Sequence, residues 1–255
     1  PRAKKEESKE ESKEEKPIKF RPNKSPLSSY YSEDTLFEIG IDEAGRGPLF
    51  GRVYVAGVVL PKDTEAFHHE WMRDSKQIKN RKTMKALANY IKENAVHWHI
   101  EYEEAEQIDK HNILNAVMNC MHACAKAISL KYKPEEFGDG LLLVDGNYFK
   151  PCIWFDEDAS SYYSVMHETV EQGDASFSAI AAASILAKNE RDTYVEELCA
   201  KYPILNERYN MVNCMGYGTE AHRRGIQEYG ITQWHRKSFN LCKGEPENYI
   251  NTELP

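Results

Sequence analysis

Two apolar runs, LFEIGI at Leu36–Ile41 and RVYVAGVVL at Arg52–Leu60, are separated only by the stretch DEAGRGPLFG. Both are short and rich in aliphatic and aromatic residues, which is strand composition. Their connection is too long for a two-residue hairpin turn. A chain that must fold around such a pair places Asp42, Glu43 and a glycine-flanked arginine where the first strand runs out. Asp and Glu are poor strand formers, and two adjacent like charges repel. The pair is therefore locally unfavourable unless something compensates it, and a divalent cation does so.

The rest of the chain defines the setting. With 255 residues, 41% of them hydrophobic, the sequence supports one large domain or two small ones with a proper core. No stretch approaches the roughly 18 continuous apolar residues of a membrane span, and the N-terminus is charged rather than signal-like, so a cytoplasmic protein is expected. Cys120, Cys124, Cys152, Cys199, Cys214 and Cys242 are scattered, with no CxxC pair, which points to reduced thiols. The formal charge of −8 argues against nonspecific nucleic-acid binding, because phosphate affinity comes chiefly from Lys and Arg. Any nucleic-acid site has to be local and helped by metal. Pro1–Lys16 is almost wholly Lys, Glu and Ser and is expected to be disordered. Pro17–Asp34 shifts to Pro, Ser and basic residues and reads as a linker, so the folded body is expected to start near Leu36.

Asn80 is placed to cap a helix whose Met84, Leu87, Ala88 and Ile91 fall at helical spacing, with Lys79, Arg81, Lys82 and Lys85 along its beginning. VHWHIEY alternates as a third strand. Another helix is expected from about Asn112, with Leu114, Val117, Met121, Cys124 and Ile128 on one stripe. GLLLVDGN is a buried-type strand ending in Asp145, and CIWF and YYSVMHE give two further strand candidates. After Asp174 comes a long helix rich in small residues. The order implies an α/β sheet whose first strands are antiparallel and whose later ones are linked through helices.

Asp42, Glu43, Asp145 and Asp174 thus all stand at element ends. In a parallel-type sheet such ends gather in one crevice, where ligands bind. Mg²⁺ and Mn²⁺ take carboxylate oxygens and water, and a pair of them can hold both the attacking and the leaving oxygen of a phosphodiester displacement. A plainer reading stands beside each acid. Asp174 fits a helix cap, Asp145 a turn residue, and Asp42 and Glu43 face opposite ways on a regular strand unless it ends or bends there. His97 and His99 share one strand face without a third ligand, and on a helix His122 points away from Cys120 and Cys124. Both sets read as structural.

GIDEAGRGPL at Gly40–Leu49, DSK at Asp74–Lys76, VDGN at Val144–Asn147, GDASFSAIAAASILAKNERD at Gly173–Asp192, and GYGTEAH with HRKSF in the C-terminal part resemble, in this order, the bacterial-type ribonuclease HII family. The resemblance implies a ribonuclease H-like mixed β-sheet flanked by helices, with a helical C-terminal part. The catalytic domain would span 36–240, after a tail and Pro/Ser-rich linker over 1–35 and before a C-terminal tail over 241–255. It implies that Asp42, Glu43, Asp145 and Asp174 hold Mg²⁺ or Mn²⁺, with two ions expected. The implied reaction is hydrolysis of RNA in RNA/DNA hybrids and cleavage 5′ of single ribonucleotides embedded in duplex DNA. That serves ribonucleotide and RNA-primer removal and leaves 3′-hydroxyl and 5′-phosphate ends. Gly45, Arg46 and Gly47 are assigned to the 2′-hydroxyl, Tyr217 to the sugar at the junction, and Lys76, Ser184 and Lys188 to further substrate contacts. A monomer is expected. Gln172, Met215 and Arg52 depart from the family's usual lysine, basic residue and proline, which bears on substrate affinity and leaves the acids untouched. The alternatives are a type III relative, for whose extra domain Pro1–Thr35 is too short and too polar, and a catalytically silent hybrid-binding module.

Overall fold

The computed structural model describes residues 20–157 and 159–251, so the charged Pro1–Lys16 segment lies outside the described residues. In chain order the elements are β1 (Phe37–Ala44), β2 (Val53–Val59), α1 (Arg81–Asn94), β3 (His97–Glu103), α2 (Ala105–His111) and α3 (Ile113–Ser129). Then come β4 (Gly140–Asp145), β5 (Ile153–Asp156), β6 (Ser161–Ser164), β7 (Met166–Val170), α4 (Ser178–Lys201), α5 (Ile204–Tyr209), α6 (Met211–Cys214) and α7 (Glu220–Tyr229). The main sheet runs β3-β2-β1-β4-β7. Its first three strands pair antiparallel, while β1 with β4 and β4 with β7 pair parallel. Among the described residues no helix is long and apolar enough to cross a membrane.

The mixed α/β sheet is as the sequence leads one to expect, with one change in connectivity. α2 and α3 link β3 to β4, but the passage from β4 to β7 goes through a separate hairpin, β5 paired with β6. The run YYSVMHE breaks at buried Val165 into a hairpin strand and a sheet strand.

Alternation along the strands sends one set of side chains to each face. Ile39, Ile41, Val53, Val55, Leu142 and Val144 pack against Cys120, Cys124 and Ile128 of α3. Ala56 and Val58 meet Ala182, Ala183 and Leu186 of α4 and Met84, Leu87 and Ile91 of α1. α4 is buried on nearly all sides, and its small residues let it lie close: a Cβ at Gly40 would come within 2.2 Å of the Ala179 carbonyl carbon. Asp42, two residues along the same strand face, therefore also points at α4.

Helix starts follow local chemistry. The Asn80 side chain accepts from the amides of Lys82 and Thr83, and that of Asn112 from the amide of Asn115. The expected stripe on α3 is buried except for Leu114, which lies in the first turn and is 40% exposed.

Residues 20–35 correct the expectation of a linker. Phe20 packs on Trp71 and Tyr90, and Tyr31 on Phe177. The Ser28 amide donates to Ser176, and its carbonyl accepts from the Ser178 amide. Glu38 accepts from the amides of Tyr31 and Ser32 and from the Thr35 hydroxyl. The segment is a strap across the start of α4, and folded structure begins well before Leu36. At the other end, buried Cys242, a bridge from Ile231 to Glu247 and a bond from the Ile250 amide to Gln233 show that residues 241–251 are also packed.

Candidate active site

β1 does not stop at Asp42. Its antiparallel pairing with β2 continues through Asp42↔Ala56, Glu43↔Val55 and Ala44↔Tyr54, while its parallel pairing with β4 ends at Ile41↔Val144. The sheet opens there between β1 and β4, and Asp145 is the last residue of β4. Asp42 and Glu43 point to opposite faces, yet both border the opening. The result is a cavity of about 880 Å³ lined by Asp42, Glu43, Asp145, Gly45, Arg46, Gly47, Lys76, Ser184, Lys188 and Tyr217. Among the predicted site residues only Asp174 is not in its wall.

Asp174 lies just behind it, buried in a 3-10 turn, Gly173–Ala175. Its Oδ2 accepts from Lys76 Nζ at 3.3 Å, so Lys76 links it to the cavity. Asp174 does not cap α4: the residue before the helix is Phe177, with no side-chain cap. Nor is Asp145 only a turn residue, because its Oδ1 accepts from the Gly173 amide at 2.7 Å and ties β4 to the Asp174 turn.

Electrostatically the acids are uncomfortable. Burial pushes the Asp42 carboxyl well above the usual range, and the charges of Glu43 and Asp145 push it further. Glu43 is raised by burial, with Arg46 at 3.3 Å opposing, and Asp174 is raised by burial, with Lys76 opposing. Each carboxylate has found a local donor, and among the described residues no three acidic, histidine or cysteine side chains are gathered closely enough to hold a metal ion. The donor set is nonetheless that of a hard cation: several carboxyl oxygens, neither imidazole nor thiolate, and a shortage of positive charge. His99 pairs with Glu101, and His122 bonds the Lys150 carbonyl, so neither histidine set enters the site.

Along α4, Ser184 and Lys188 stand one turn apart. The Ser184 hydroxyl donates to Ser75 at 2.9 Å, and Lys188 Nζ pairs with Asp192 at 3.0 Å.

The glycine loop is held differently. Gly45 has φ +100°, a left-handed conformation, and a Cβ there would strike the Arg191 side chain. Arg236 is completely buried, and its guanidinium donates to the carbonyls of Gly45, Arg46, Pro48, Gly51 and Arg52 at 2.7–3.1 Å. Burial, with the neighbouring Arg191 charge, pushes its pKa down to about 9 against the opposing charge of Asp109. The Tyr217 ring is half exposed, with the Arg191 guanidinium 5.6 Å from its centroid, and a Cβ at Gly47 would lie 3.6 Å from it. Neither Arg236 nor Arg191 stands out in the sequence as a site residue. HRKSF was the available signal for the first, but an arginine in a polar stretch does not announce five backbone acceptors.

Of the departures noted in the sequence, Arg52 is engaged within the fold. It bonds Glu104 and the Tyr54 hydroxyl and lies 4.0 Å from the Tyr102 ring centroid. Gln172 and Met215 both occupy left-handed positions, at φ 55° and 47°.

The ribonuclease H2 of Pyrococcus horikoshii superposes with a TM-score of 0.62 at 22% identity, covering 81% of this chain and 95% of its own. The PCNA:RNase HII complex of Archaeoglobus fulgidus gives 0.57 at 23% identity, covering 80% and 95%. The fold, with its sheet order and helices on both faces, is thus that of the ribonuclease H-like α/β class. The family model for ribonuclease HII matches residues 39–242, and the ribonuclease HII of Parabacteroides distasonis is 42% identical over 211 residues, which is 83% of this chain and 94% of that one. The chain belongs to the ribonuclease HII family.

Proposed function

We propose that this chain is a metal-dependent endoribonuclease that hydrolyses the RNA strand of RNA/DNA hybrids and cuts 5′ of a single ribonucleotide in duplex DNA, leaving 3′-hydroxyl and 5′-phosphate ends. The observation that carries this reading is the shared cavity: Asp42, Glu43 and Asp145 open into the same space as Gly45–Arg46–Gly47 and Tyr217. One wall suits a phosphodiester, the other a sugar.

Asp42, Glu43, Asp145 and Asp174 are the residues that would hold Mg²⁺ or Mn²⁺, which when bound activates a water and stabilises the charge that builds on the phosphate. The protein's own groups do the rest. Lys76, whose side chain is 79% exposed, offers an ammonium to the phosphate backbone, and Lys188 and Ser184 offer a charge and a hydroxyl from one face of α4. Gly45 and Gly47 carry no side chains, so a ribose can approach the loop backbone and present its 2′-hydroxyl, the one group that distinguishes RNA from DNA there. Arg46 stands over the carboxylates with its guanidinium half exposed. Tyr217 supplies a flat apolar ring for the neighbouring sugar. The enzyme so described works as a cytoplasmic monomer.

The test is incubation with a duplex holding one ribonucleotide, with and without Mg²⁺, and mapping of the product ends. A single Mg²⁺-dependent cut on the 5′ side of the ribonucleotide is expected. Cutting elsewhere, or turnover indifferent to a chelator, overturns the reading.

A further inference from the structure

Behind Tyr217 lies a closed chain of hydrogen bonds that reaches no substrate. His222, His235 and Thr232 are all at most 1% exposed. The Thr232 amide donates to His235 Nδ1 at 2.9 Å, His235 Nε2 lies 3.1 Å from His222 Nε2, and His222 Nδ1 lies 3.0 Å from the carbonyl oxygen of Tyr217. The two ends fix every proton. A backbone amide only donates, so Nδ1 of His235 is an acceptor and its proton sits on Nε2. A carbonyl only accepts, so His222 carries its proton on Nδ1 and presents a lone pair at Nε2. His235 Nε2–H then donates to His222 Nε2, and the relay closes with both rings neutral. Burial, which holds both imidazoles below their ordinary pKa, agrees with that state.

The next residue acts on the glycine loop, which lies beside Tyr217. The segment around His235 lies antiparallel to the glycine loop: the Gly51 amide bonds the Trp234 carbonyl, Phe50 bridges to His235, and the Arg236 amide bonds the Leu49 carbonyl. Arg236 then sends its side chain to the loop's carbonyls, while His235 sends its own toward Tyr217. We infer that Thr232–Arg236 is a common positioning segment for both substrate-reading elements: His235 and His222 set the Tyr217 carbonyl, and so its ring, at a fixed offset from the loop that Arg236 holds. His222 and His235 are positioning residues, not catalytic ones. The inference rests on the reading of Tyr217 and the glycine loop as contacts to the ribonucleotide junction, and it deepens that reading.

Two substitutions at one position separate the roles. His222→Asn puts an amide nitrogen where Nδ1 stood, keeping the bond to Tyr217 and abandoning His235; His222→Gln reaches His235 and abandons Tyr217. His222→Asn leaves the His235 Nε2–H without its acceptor, whereas His222→Gln leaves the Tyr217 carbonyl with the Thr219 amide at 2.7 Å, so His222→Gln should be no less stable than His222→Asn and a larger loss of kcat/KM in it does not come from unfolding. With His222→Gln, kcat/KM on a single-ribonucleotide duplex should fall about ten-fold, and less on a long RNA/DNA hybrid, as expected for a displaced contact group. His222→Asn should stay close to wild type on both, and adding Tyr217→Ala to His222→Gln should cost nothing more than Tyr217→Ala alone. Hydrogen exchange at the amides of Tyr217 and Thr219 should rise in His222→Gln only. On the unaltered protein, long-range ¹H–¹⁵N NMR should find His222 as the Nδ1–H tautomer and His235 as the Nε2–H tautomer. Equal losses in the Asn and Gln variants, or the opposite tautomer at either ring, overturn the relay. If Tyr217→Ala alone leaves junction preference unchanged, the assignment of Tyr217 to the junction fails instead, and the tautomers and exchange rates still decide whether the relay exists.

Discussion

The two walls of the cavity are built on opposite principles. On one side Asp42, Glu43, Asp145 and Asp174 are carboxyls crowded or buried at the ends of strands and turns, partly neutralised by Lys76, Arg46 and a backbone amide, and raised by burial wherever a shift is resolved. On the other, the carbonyls of the glycine loop and of Tyr217 are bonded before anything arrives, through Arg236 and the histidine relay. A wall that is unfavourable alone is suited to positive charge; a wall that is satisfied alone is suited to defining shape. The first gives up stability for affinity, and the second uses stability to hold a geometry fixed.

The largest expected effect comes from the unfavourable wall. Asp145→Asn should lower kcat on a hybrid substrate by about a thousand-fold while leaving hybrid binding largely intact, because a lost ligand charge weakens transition-state stabilisation more than ground-state contacts. Single-turnover rates alongside a binding titration check this, and retained turnover at saturating Mg²⁺ would remove Asp145 from the site. Next comes the fixed wall. Arg236→Met strands several buried carbonyls, and a loss of about 3 kcal/mol in unfolding free energy is expected. Arg236→Lys should recover little of it, since an ammonium does not reproduce the guanidinium fork. Urea unfolding measures both, and a loss below about 1 kcal/mol would mean that water replaces the guanidinium.

Tyr217→Ala sharpens the comparison, since it alters shape without touching the acids. The loss of aromatic packing should cost about 1–3 kcal/mol, or roughly ten- to hundred-fold in kcat/KM, mainly on the single-ribonucleotide substrate. Equal losses on a long hybrid would reassign Tyr217 to general binding. The smallest effect is on pH dependence. His222 and His235 have folded pKa values below 6.5, so an unfolded chain takes up protons on acidification before the folded one does. Their contribution to stability is complete above 6.5 and is lost as pH falls through that value toward the folded ones. Unfolding midpoints at about pH 7.5 and about pH 5.5 should differ less in His235→Gln than in the wild type; an unchanged difference would mean that other groups set the slope.

Legibility in the sequence followed the range of the interaction. Asn80 and the stripe from Met84 to Ile91 are local facts of spacing, and the structure has them as expected. Strand ends in a parallel sheet converge, and Asp42, Glu43 and Asp145 do line one cavity, but β1 outruns its own propensity: β2 goes on pairing with it through Ala44, and tertiary pairing overrides the poor strand preference of Asp and Glu. α2 leaves no clear mark in the sequence, because it is seven residues long and its start lacks a side-chain cap. The strap at residues 20–35 has linker composition, and what holds it lies at Trp71, Tyr90 and Ser176–Ser178, beyond any local window. Arg236 is the extreme case, since its acceptors are backbone atoms that carry no mark in the sequence.

The carbonyls that Arg236 holds lie 184–191 residues earlier in the chain, and β1 meets β4 only through a parallel pairing that joins Phe37 to Gly140. Contacts of such span form late, because a long loop has to close before they contribute anything. During synthesis the acidic stretch emerges early and β2 follows to pair with it, but Asp145 arrives only with β4 and the glycine loop is not fixed until residue 236 is free. A half-made chain is therefore not a half-active nuclease. The protein becomes competent in one late step, when its final portion returns to lock its beginning.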